Sequence, residues 1–279
     1  MKSSKLTRGF LFTISSILFA STLVFFAMNF ADVSASSEYL VASSARPLGT
    51  IFLSDNVAFN LFKVLNLNVD VNDSINQVVL FGTLSTSFNE QNNLLNYASF
   101  LENNYFPLTP GSESIDLNSL VDGSAEVFLG SSAEADYNYN SSSISLFALN
   151  SSQFTSIDLN IRAKGDLNFL DVNTTVGDLI VNILYVDDSN TFSLTKSISS
   201  SELNTITLGY LDSNSIISIG KTNGVNDFVS IGASSDHNIS YVIKAIYSTD
   251  SVLLPTRINS KMVSISKDYN VVSTLVLQK

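Results

Sequence analysis

Residues Phe10–Phe30 carry no charged side chain, and this uncharged run is the feature that most limits what the chain can form. In a helix, 21 residues span about 31 Å, which matches the hydrocarbon core of a bilayer. Lys2, Lys5 and Arg8 precede the run, and such cations stay on the cytoplasmic side of a membrane. The sequence therefore predicts a basic leader over residues 1–9 and a single-pass transmembrane helix over residues 10–30. The N terminus would be cytoplasmic, the C-terminal part would lie outside, and membrane lipid would surround the helix.

Three interpretations of this N-terminal segment remain open. A secretory signal peptide could be cut after Val33-Ser34-Ala35, where the small residues fit the cleavage rule. However, signal peptides usually contain an apolar stretch of about 7–15 residues, which is shorter than this run. The second interpretation is a plain membrane anchor that is never cut, and the third is a leader removed by a different peptidase. All three place the rest of the protein outside the cytoplasm.

The third interpretation rests on the segment Lys5-Leu6-Thr7-Arg8-Gly9-Phe10, which resembles the cleavage region of archaeal type IV pilin precursors. In that family a short basic leader ends in glycine, the cut precedes a hydrophobic residue, and the following helix is both membrane anchor and filament core. The resemblance implies a processing site at Arg8, Gly9 and Phe10. It also implies pilin-type subunits or self-association as partners. Ile14 stands where many bacterial pilins have glutamate, which favours the archaeal over the bacterial family.

The part of the chain after the uncharged run is strongly acidic. Removing the three leader cations from the 14 in the chain leaves 11 against 25 acids, a formal net charge of −14. No lysine or arginine occurs between Lys63 and Arg162. Such a surface repels nucleic acid and anionic lipid headgroups. We therefore expect no nucleic-acid partner.

Cysteine is absent and His237 is the only histidine, which excludes several kinds of site. Thiol catalysis, zinc thiolates and iron–sulfur clusters all need cysteine, and one histidine cannot form a histidine-based metal site. Gly220-Lys221-Thr222 resembles the end of a phosphate-binding loop, but Ser215 stands where that motif needs its first glycine. We therefore interpret this tripeptide as a β-turn, and expect no cofactor and no enzymatic activity.

Residues 31–66 are predicted to form a helical stalk. Apolar side chains recur there at spacings of three, four and seven, which places them on one face of a helix: Leu48, Ile51, Phe52, Phe59, Phe62 and Leu65. Pro47 fits a first helical turn, since it lacks an N–H. The stalk could be one helix kinked at Pro47 or two helices in series.

Residues 67–150 are predicted to form an acidic, β-rich module with a short helix. Gln77–Leu84, Ala125–Leu129 and Ile144–Leu149 are expected to be strands, and 89–105 the helix. The composition of 107–114 and 131–143 predicts loops.

Residues 151–279 are predicted to form an antiparallel β module. Apolar and polar residues alternate in short runs with turns of Gly, Asn, Asp and Ser between them. Lys164-Gly165-Asp166 predicts a hairpin between the strand at 157–161 and the one at 167–172. Asp187–Asn190 predicts a second turn.

The predicted fold class is α+β and mainly β, with an N-terminal transmembrane or long helix followed by an antiparallel, β-sandwich-like extracytoplasmic domain. The acidic interval without lysine or arginine ends close to where regular apolar–polar alternation begins, near Asn150. This favours two β modules over one.

Two sets of residues are candidates for sites outside the leader. Carboxylates near predicted strand ends could bind Ca²⁺ or act in hydrolysis, although turn formation is the more common role of such residues: Asp171, Asp178, Asp187 and Asp188. Five Asn-X-Ser/Thr sequences are possible glycosylation sites, a consensus that needs only an accessible loop: Asn72, Asn140, Asn150, Asn173 and Asn238.

These features favour a membrane-anchored structural or adhesive surface protein, a pilin-like and accessory subunit. The alternative is a membrane-tethered β-sandwich module that binds a glycan or cation without forming a filament. An extracellular hydrolase using Asp171, Asp178 or Asp187 is a third, weaker hypothesis.

Overall fold

The computed structural model describes residues 53–85, 90–108, 112–117, 120, 123–129, 133–149, 152–222, 226–233, 238–248, 256–265 and 270–277. Residues Ser54–Lys279 form one compact unit, mainly of antiparallel β-sheet with few helices. No helix among these residues is long and apolar enough to cross a membrane. The leader, the uncharged run and the processing site at Arg8–Phe10 lie outside the described residues, as do 31–52 of the predicted stalk.

Residues 53–64 are helical (α1) and bury one face of the helix. Leu53, Val57 and Leu61 recur every four residues and are buried, as a helical repeat of 3.6 residues requires. Among the apolar side chains that were predicted to share one helix face, Phe62 and Leu65 are buried, but Phe59 is 50% exposed. The prediction for Phe59 was wrong because its position lies on the opposite side of the helix from the buried face.

Helix α1 leads directly into the first strand. Asn66 adopts a left-handed backbone conformation (φ 51°), which asparagine tolerates at a helix C terminus, and its N–H donates to the Lys63 carbonyl over 3.0 Å. A side chain at Gly82 would collide with the Asn66 carbonyl, 2.5 Å from an added Cβ. Glycine at position 82 therefore allows this turn to lie against the neighbouring strand.

Within the described residues, sixteen strands and one further α-helix follow α1. The strands are β1 (Leu67–Asn72), β2 (Gln77–Leu84), β3 (Ser112–Asp116), β4 (Ser124–Leu129), β5 (Ala133–Asn138), β6 (Ser143–Ala148), β7 (Gln153–Ala163), β8 (Phe169–Asn173), β9 (Val176–Val186), β10 (Thr191–Ile198), β11 (Asn204–Gly209), β12 (Asn214–Thr222), β13 (Asn226–Gly232), β14 (Ile239–Ser248), β15 (Thr256–Ile265) and β16 (Asn270–Leu277). Helix α2 (Glu90–Phe100) continues into a π-helical turn, Leu101–Tyr105. Short 3-10 turns occupy Asp73–Ile75 and Phe106–Leu108.

These strands form two sheets. The six-stranded sheet has the order β1-β2-β14-β7-β9-β10. The ten-stranded sheet has the order β16-β15-β4-β5-β6-β13-β12-β11-β8, with β3 also paired to β15. Every pair is antiparallel except β7 with β9, which is parallel.

Each sheet buries one face, and the two buried faces contact each other. Along β14 and β7, apolar residues at every second position are buried while the intervening ones reach solvent, the alternation expected of a sheet wetted on one side. Tyr185 of the six-stranded sheet donates its hydroxyl to that of Tyr210, next to β11 of the other sheet, over 3.3 Å. The Phe154 N–H of β7 likewise donates to the Asp227 carboxylate of β13 over 3.0 Å.

Most predicted strands are confirmed, but 131–143 is not the predicted exposed loop. Ala133–Asn138 is strand β5, and Ala133, Ala135 and Tyr137 are buried. Alanine and tyrosine on alternate positions fit an inward face, which the frequent polar residues between them obscure. Strand β3 likewise begins inside the predicted loop 107–114.

The predicted hairpin around Lys164-Gly165-Asp166 is wrong. Strand β7 pairs with β14 and β9, whereas β8 joins β11 in the other sheet. The glycine turns the chain from one sheet to the other instead of folding it back on itself. The second turn, around Asp187–Asn190, does join the antiparallel pair β9 and β10.

Both sheets contain strands from both sides of Asn150. Strands β1 and β2 pair into the sheet that contains β7, β9, β10 and β14, and β4–β6 lie between β15 and β13. Neither sheet therefore belongs to one half of the chain.

Candidate functional site

The four candidate carboxylates do not converge on one point. Asp171 is exposed on β8 of the ten-stranded sheet, and Asp178 is exposed near the start of β9 in the other sheet. Asp187 directly follows β9, nine residues further on. At about 3.3 Å per residue that separation is about 30 Å, far above the roughly 9.5 Å that two carboxylates of a glycosidase can span.

Asp187 and Asp188 instead hold together two loops. The Asp187 carboxylate accepts N–H bonds from Leu167, over 2.9 Å, and from Ser189 and Asn190 in its own turn. Burial pushes the pKa of Asp187 upward, but these N–H donors outweigh it and leave the pKa below the ordinary value. Asp188 accepts the Gly165 N–H over 3.2 Å. Both side chains therefore have a structural role at the end of β9.

Asp178 also has a local partner. Its carboxylate accepts the Ser200 hydroxyl over 3.2 Å, and bonds from its own N–H and from Ser200 lower its pKa. In the part of the chain that the structure describes, no three His, Cys, Asp or Glu side chains are grouped so as to hold a metal ion.

Lys221 does not belong to a phosphate-binding loop, nor to the predicted turn. Gly220-Lys221-Thr222 lies inside β12, and the Lys221 ammonium forms an ion pair with Asp227 over 3.6 Å. Asp227 is 2% exposed, and burial raises its pKa despite the Phe154 N–H and Lys221.

Glu90 is a second buried acid that the sequence did not single out. It is the first residue of α2, is buried, and accepts the Tyr137 hydroxyl over 2.7 Å. Burial raises the pKa of Glu90. This contact fixes the start of α2 against β5.

Four of the five glycosylation consensus sites lie on exposed asparagines. Asn72 ends β1, Asn140 lies in the turn after β5, Asn173 ends β8 and Asn238 precedes β14. Asn150 and His237 lie outside the described residues.

The outer face of the six-stranded sheet carries a groove across β9, β7 and β14, which we call the arginine groove. It has a volume of about 360 Å³ and is lined by the side chains of Asn160, Arg162, Leu184, Val186, Ser240 and Val242. Arg162 is exposed and is the only charged residue of this lining. Leu184 is 42% exposed. The groove therefore offers one cation above an apolar floor.

A ladder of polar side chains borders the arginine groove on the same face. Asp158 on β7 pairs with Lys244 on β14 over 3.6 Å and accepts the Asn182 amide of β9 over 2.8 Å. Thr195 on β10 donates to the Asn182 oxygen over 2.9 Å. These side chains satisfy one another, and Lys244 has a carboxylate partner. The guanidinium of Arg162, by contrast, has no hydrogen bond or ion pair within the described residues.

At one end the groove continues into a second cavity of about 460 Å³, which Lys164, Asp187, Asp188 and Asn238 line together with Arg162. The two aspartates of this cavity are those bonded to loop N–H groups. Their charge is thus already partly compensated.

The outer face of the ten-stranded sheet has the opposite character, and we call its β4–β5 portion the acidic face. Glu126 on β4 lies directly opposite Asp136 on β5, and Glu134 lies opposite Phe128. Burial raises the pKa of Asp136, and the neighbouring Glu126 raises it further. Burial also raises the pKa of Glu134, followed by Glu126 and Asp136. Half-exposed Phe128 and Phe147 flank Glu134.

A third depression of about 420 Å³ lies between α1 and the α2–π segment. Rings of Tyr97, Phe100 and Tyr105 line it together with the side-chain amides of Asn56 and Asn60. The Tyr97 hydroxyl donates to the Val57 carbonyl over 3.2 Å, which ties the two helices together. Burial raises the pKa of Tyr97 to about 12.

Sequence reasoning missed Arg162, although a signal for it existed. Arg162 ends the interval without lysine or arginine and occupies a polar position of an alternating strand. Its apolar surroundings come from β9 and β14, which only the sheet order brings beside it.

The chain matches no protein-family model, no curated protein and no solved structure. Its function must therefore be argued from the residues and surfaces described above.

Proposed function

We propose that this protein is a membrane-anchored, extracytoplasmic structural or adhesive surface protein, a pilin-like accessory subunit whose outer domain is sandwich-like. The observation on which the proposal rests is the uncharged run Phe10–Phe30 directly after Arg8-Gly9. A run of this length fits a membrane span, and the preceding residues fit the leader described above.

The described residues support a mechanical connection between such an anchor and the outer domain. Val57 and Leu61 of helix α1, and Leu65 just after it, are buried within the compact unit, and one turn at Asn66 joins the helix to β1. A force on the helix would therefore reach this unit through packing as well as through the chain.

The mature N terminus of the full chain, isolated from its native membrane, tests the proposal. Mass spectrometry should find a chain that begins at Phe10. Replacement of Gly9 by valine should block the cut and leave Met1, whereas Thr7→Ser should leave processing unchanged. An intact Met1 in the unaltered protein, or a start at Ser36, would refute the pilin-like interpretation.

The alternative is a membrane-tethered binding module, favoured by the depression between α1 and α2. Aromatic rings beside side-chain amides suit a glycan, since rings cover the apolar face of a sugar and amides bond its hydroxyls. Saturable glycan binding that Tyr97→Ala abolishes, together with an intact Met1, would support this alternative.

A further inference from the structure

We propose that the arginine groove of one copy of this chain binds the acidic face of a second copy. The outer face of the six-stranded sheet in one copy would then contact the outer face of the ten-stranded sheet in the next. The inference rests on the proposed function, because it names the partner of a surface subunit that self-associates. Two complementary surfaces of the described unit support it.

The first surface is the outer face of the six-stranded sheet, which is exposed among the described residues. Phe81 on β2, Val242 on β14 and Leu184 on β9 lie in one row across the sheet, with Asn160 of β7 between the last two. Phe81 and Leu184 are 39% and 42% exposed. Exposed apolar side chains grouped on one face mark interaction surfaces more often than isolated ones. Arg162 provides a charge with no partner inside the described residues, and a planar guanidinium can bind carboxylates through two parallel hydrogen bonds.

The second surface supplies what the first lacks. Glu126, Glu134 and Asp136 crowd three carboxylates onto two adjacent strands. Like charges directly opposite each other destabilise a sheet. Burial is the largest cause of the raised pKa values of Glu134 and Asp136, and the charge of Glu126 raises both further. Arg257 on β15 lies at the edge of this face, with its guanidinium 4.6 Å from the centre of the Phe128 ring, so three carboxylates face one cation. A second guanidinium placed among them would relieve the remaining repulsion. Phe147 beside Glu134 would meet the apolar floor formed by Leu184 and Val242.

The position of the two surfaces determines the kind of assembly. Because the buried faces of the sheets contact each other, the outer faces point in opposite directions. A contact between different patches on opposite sides is heterologous, and it leaves one free groove and one free acidic face at the ends of every assembly. Copies would therefore add head to tail instead of closing into a symmetric dimer.

Charge-reversed variants test this arrangement. Arg162→Glu removes the groove's cation, and Glu134→Lys with Asp136→Lys reverses the acidic face. All variants are full-length and kept in detergent, so the uncharged run is common to all of them. Sedimentation velocity at an ionic strength of about 0.1 M, where repulsion between the negatively charged copies is screened beyond about 10 Å, should show concentration-dependent association of the unaltered protein. Each variant alone should associate at least about tenfold more weakly.

Mixing the two variants gives the decisive result. The Arg162→Glu protein keeps a native acidic face and the lysine variant keeps a native groove, and the two reversed surfaces also carry opposite charges. The mixture should therefore regain the concentration-dependent association that each variant alone has lost. Raising the salt from 0.1 to 1 M should weaken the association of the mixture and of the unaltered protein, since the Debye length falls from about 10 to about 3 Å.

Controls separate this contact from other effects. Lys63→Glu and Asp212→Lys change exposed charges outside both surfaces and should leave association unchanged. Near-ultraviolet circular dichroism checks folding, and Glu134→Gln with Asp136→Asn replaces the lysine pair if that pair unfolds.

A single sedimenting species for the unaltered protein, undiminished association of Arg162→Glu, or a mixture that stays monomeric would each overturn the inference. None of these outcomes bears on the mature N terminus, so the proposed function is tested separately by mass spectrometry.

Discussion

Replacing Asn204 by alanine should cost more stability than replacing any exposed polar residue of the β unit. Asn204 begins β11 and is 1% exposed. Its oxygen accepts the Thr175 N–H over 2.8 Å, and its amide donates to the carbonyls of Ser199 and Glu202 over 2.7 and 2.9 Å. One side chain thus joins the loop between β8 and β9 to the loop between β10 and β11.

The expected loss follows from these bonds. Each buried hydrogen bond contributes about 1 kcal/mol net, so the three short ones amount to about 3 kcal/mol of unfolding free energy. For a unit of this size, 1 kcal/mol shifts the melting temperature by about 2–4 °C. Asn204→Ala should therefore lower it by about 6–12 °C.

Thermal unfolding of the full chain in detergent, followed by tyrosine circular dichroism, measures this loss, and Asn214→Ala on an exposed position of β12 is the control. Asn204→Asp keeps the accepting oxygen but turns a carboxylate oxygen toward carbonyls. Burial would raise that carboxyl's pKa, so this variant should lose further stability as the pH rises through the raised value. A drop below about 2 °C for Asn204→Ala, or one equal to that of Asn214→Ala, would refute the assignment of Asn204 as the link between these loops.

Three further predictions concern packing, charge and backbone. Leu61→Ala should lower the free energy of unfolding in urea by about 2–5 kcal/mol, since Leu61 is fully buried, whereas Phe59→Ala, at an exposed position, should change it little. Asp136→Asn should stabilise the unit at pH 7 by about 0.2–1 kcal/mol by removing repulsion from Glu126. The pKa of Asp136 is raised in the folded state, so the unaltered protein gains stability as the pH falls through that value. The advantage of the variant should therefore vanish below about pH 4, and a constant advantage would contradict this account. Gly220→Ala should fail to fold stably, because φ is +139° there and an added Cβ would overlap the carbonyl oxygen of Glu202; unchanged circular dichroism would disprove it.

The alternation of apolar and polar residues was enough to predict most strands of the β unit. Gln77–Leu84 was predicted with the bounds that the structure shows, because side chains on a sheet with one wet face must alternate. Strand β5 was not predicted, because Ala133 and Ala135 are small and add little to the apolar pattern. Their burial depends on the neighbouring strands β4 and β6.

Pairing between strands was much less predictable. The turn at Gly165 suggested a hairpin, yet β7 pairs in parallel with β9, two strands later. A glycine permits a tight turn, but it does not specify which sheet receives the following strand. For the same reason the sequence could not show whether the candidate carboxylates meet at one site. Asp171 and Asp178 are close in sequence, but they lie on strands of different sheets.

The sequence by itself determined the uncharged run, the acidic balance and the mainly β character, because each depends on residue type and local spacing. Only the tertiary structure brought Arg162 beside Leu184 and Val242, and Glu126 opposite Asp136. Those neighbours lie on separate strands, and which strands pair depends on burying both sheets against each other, a property of the whole unit that no local pattern contains.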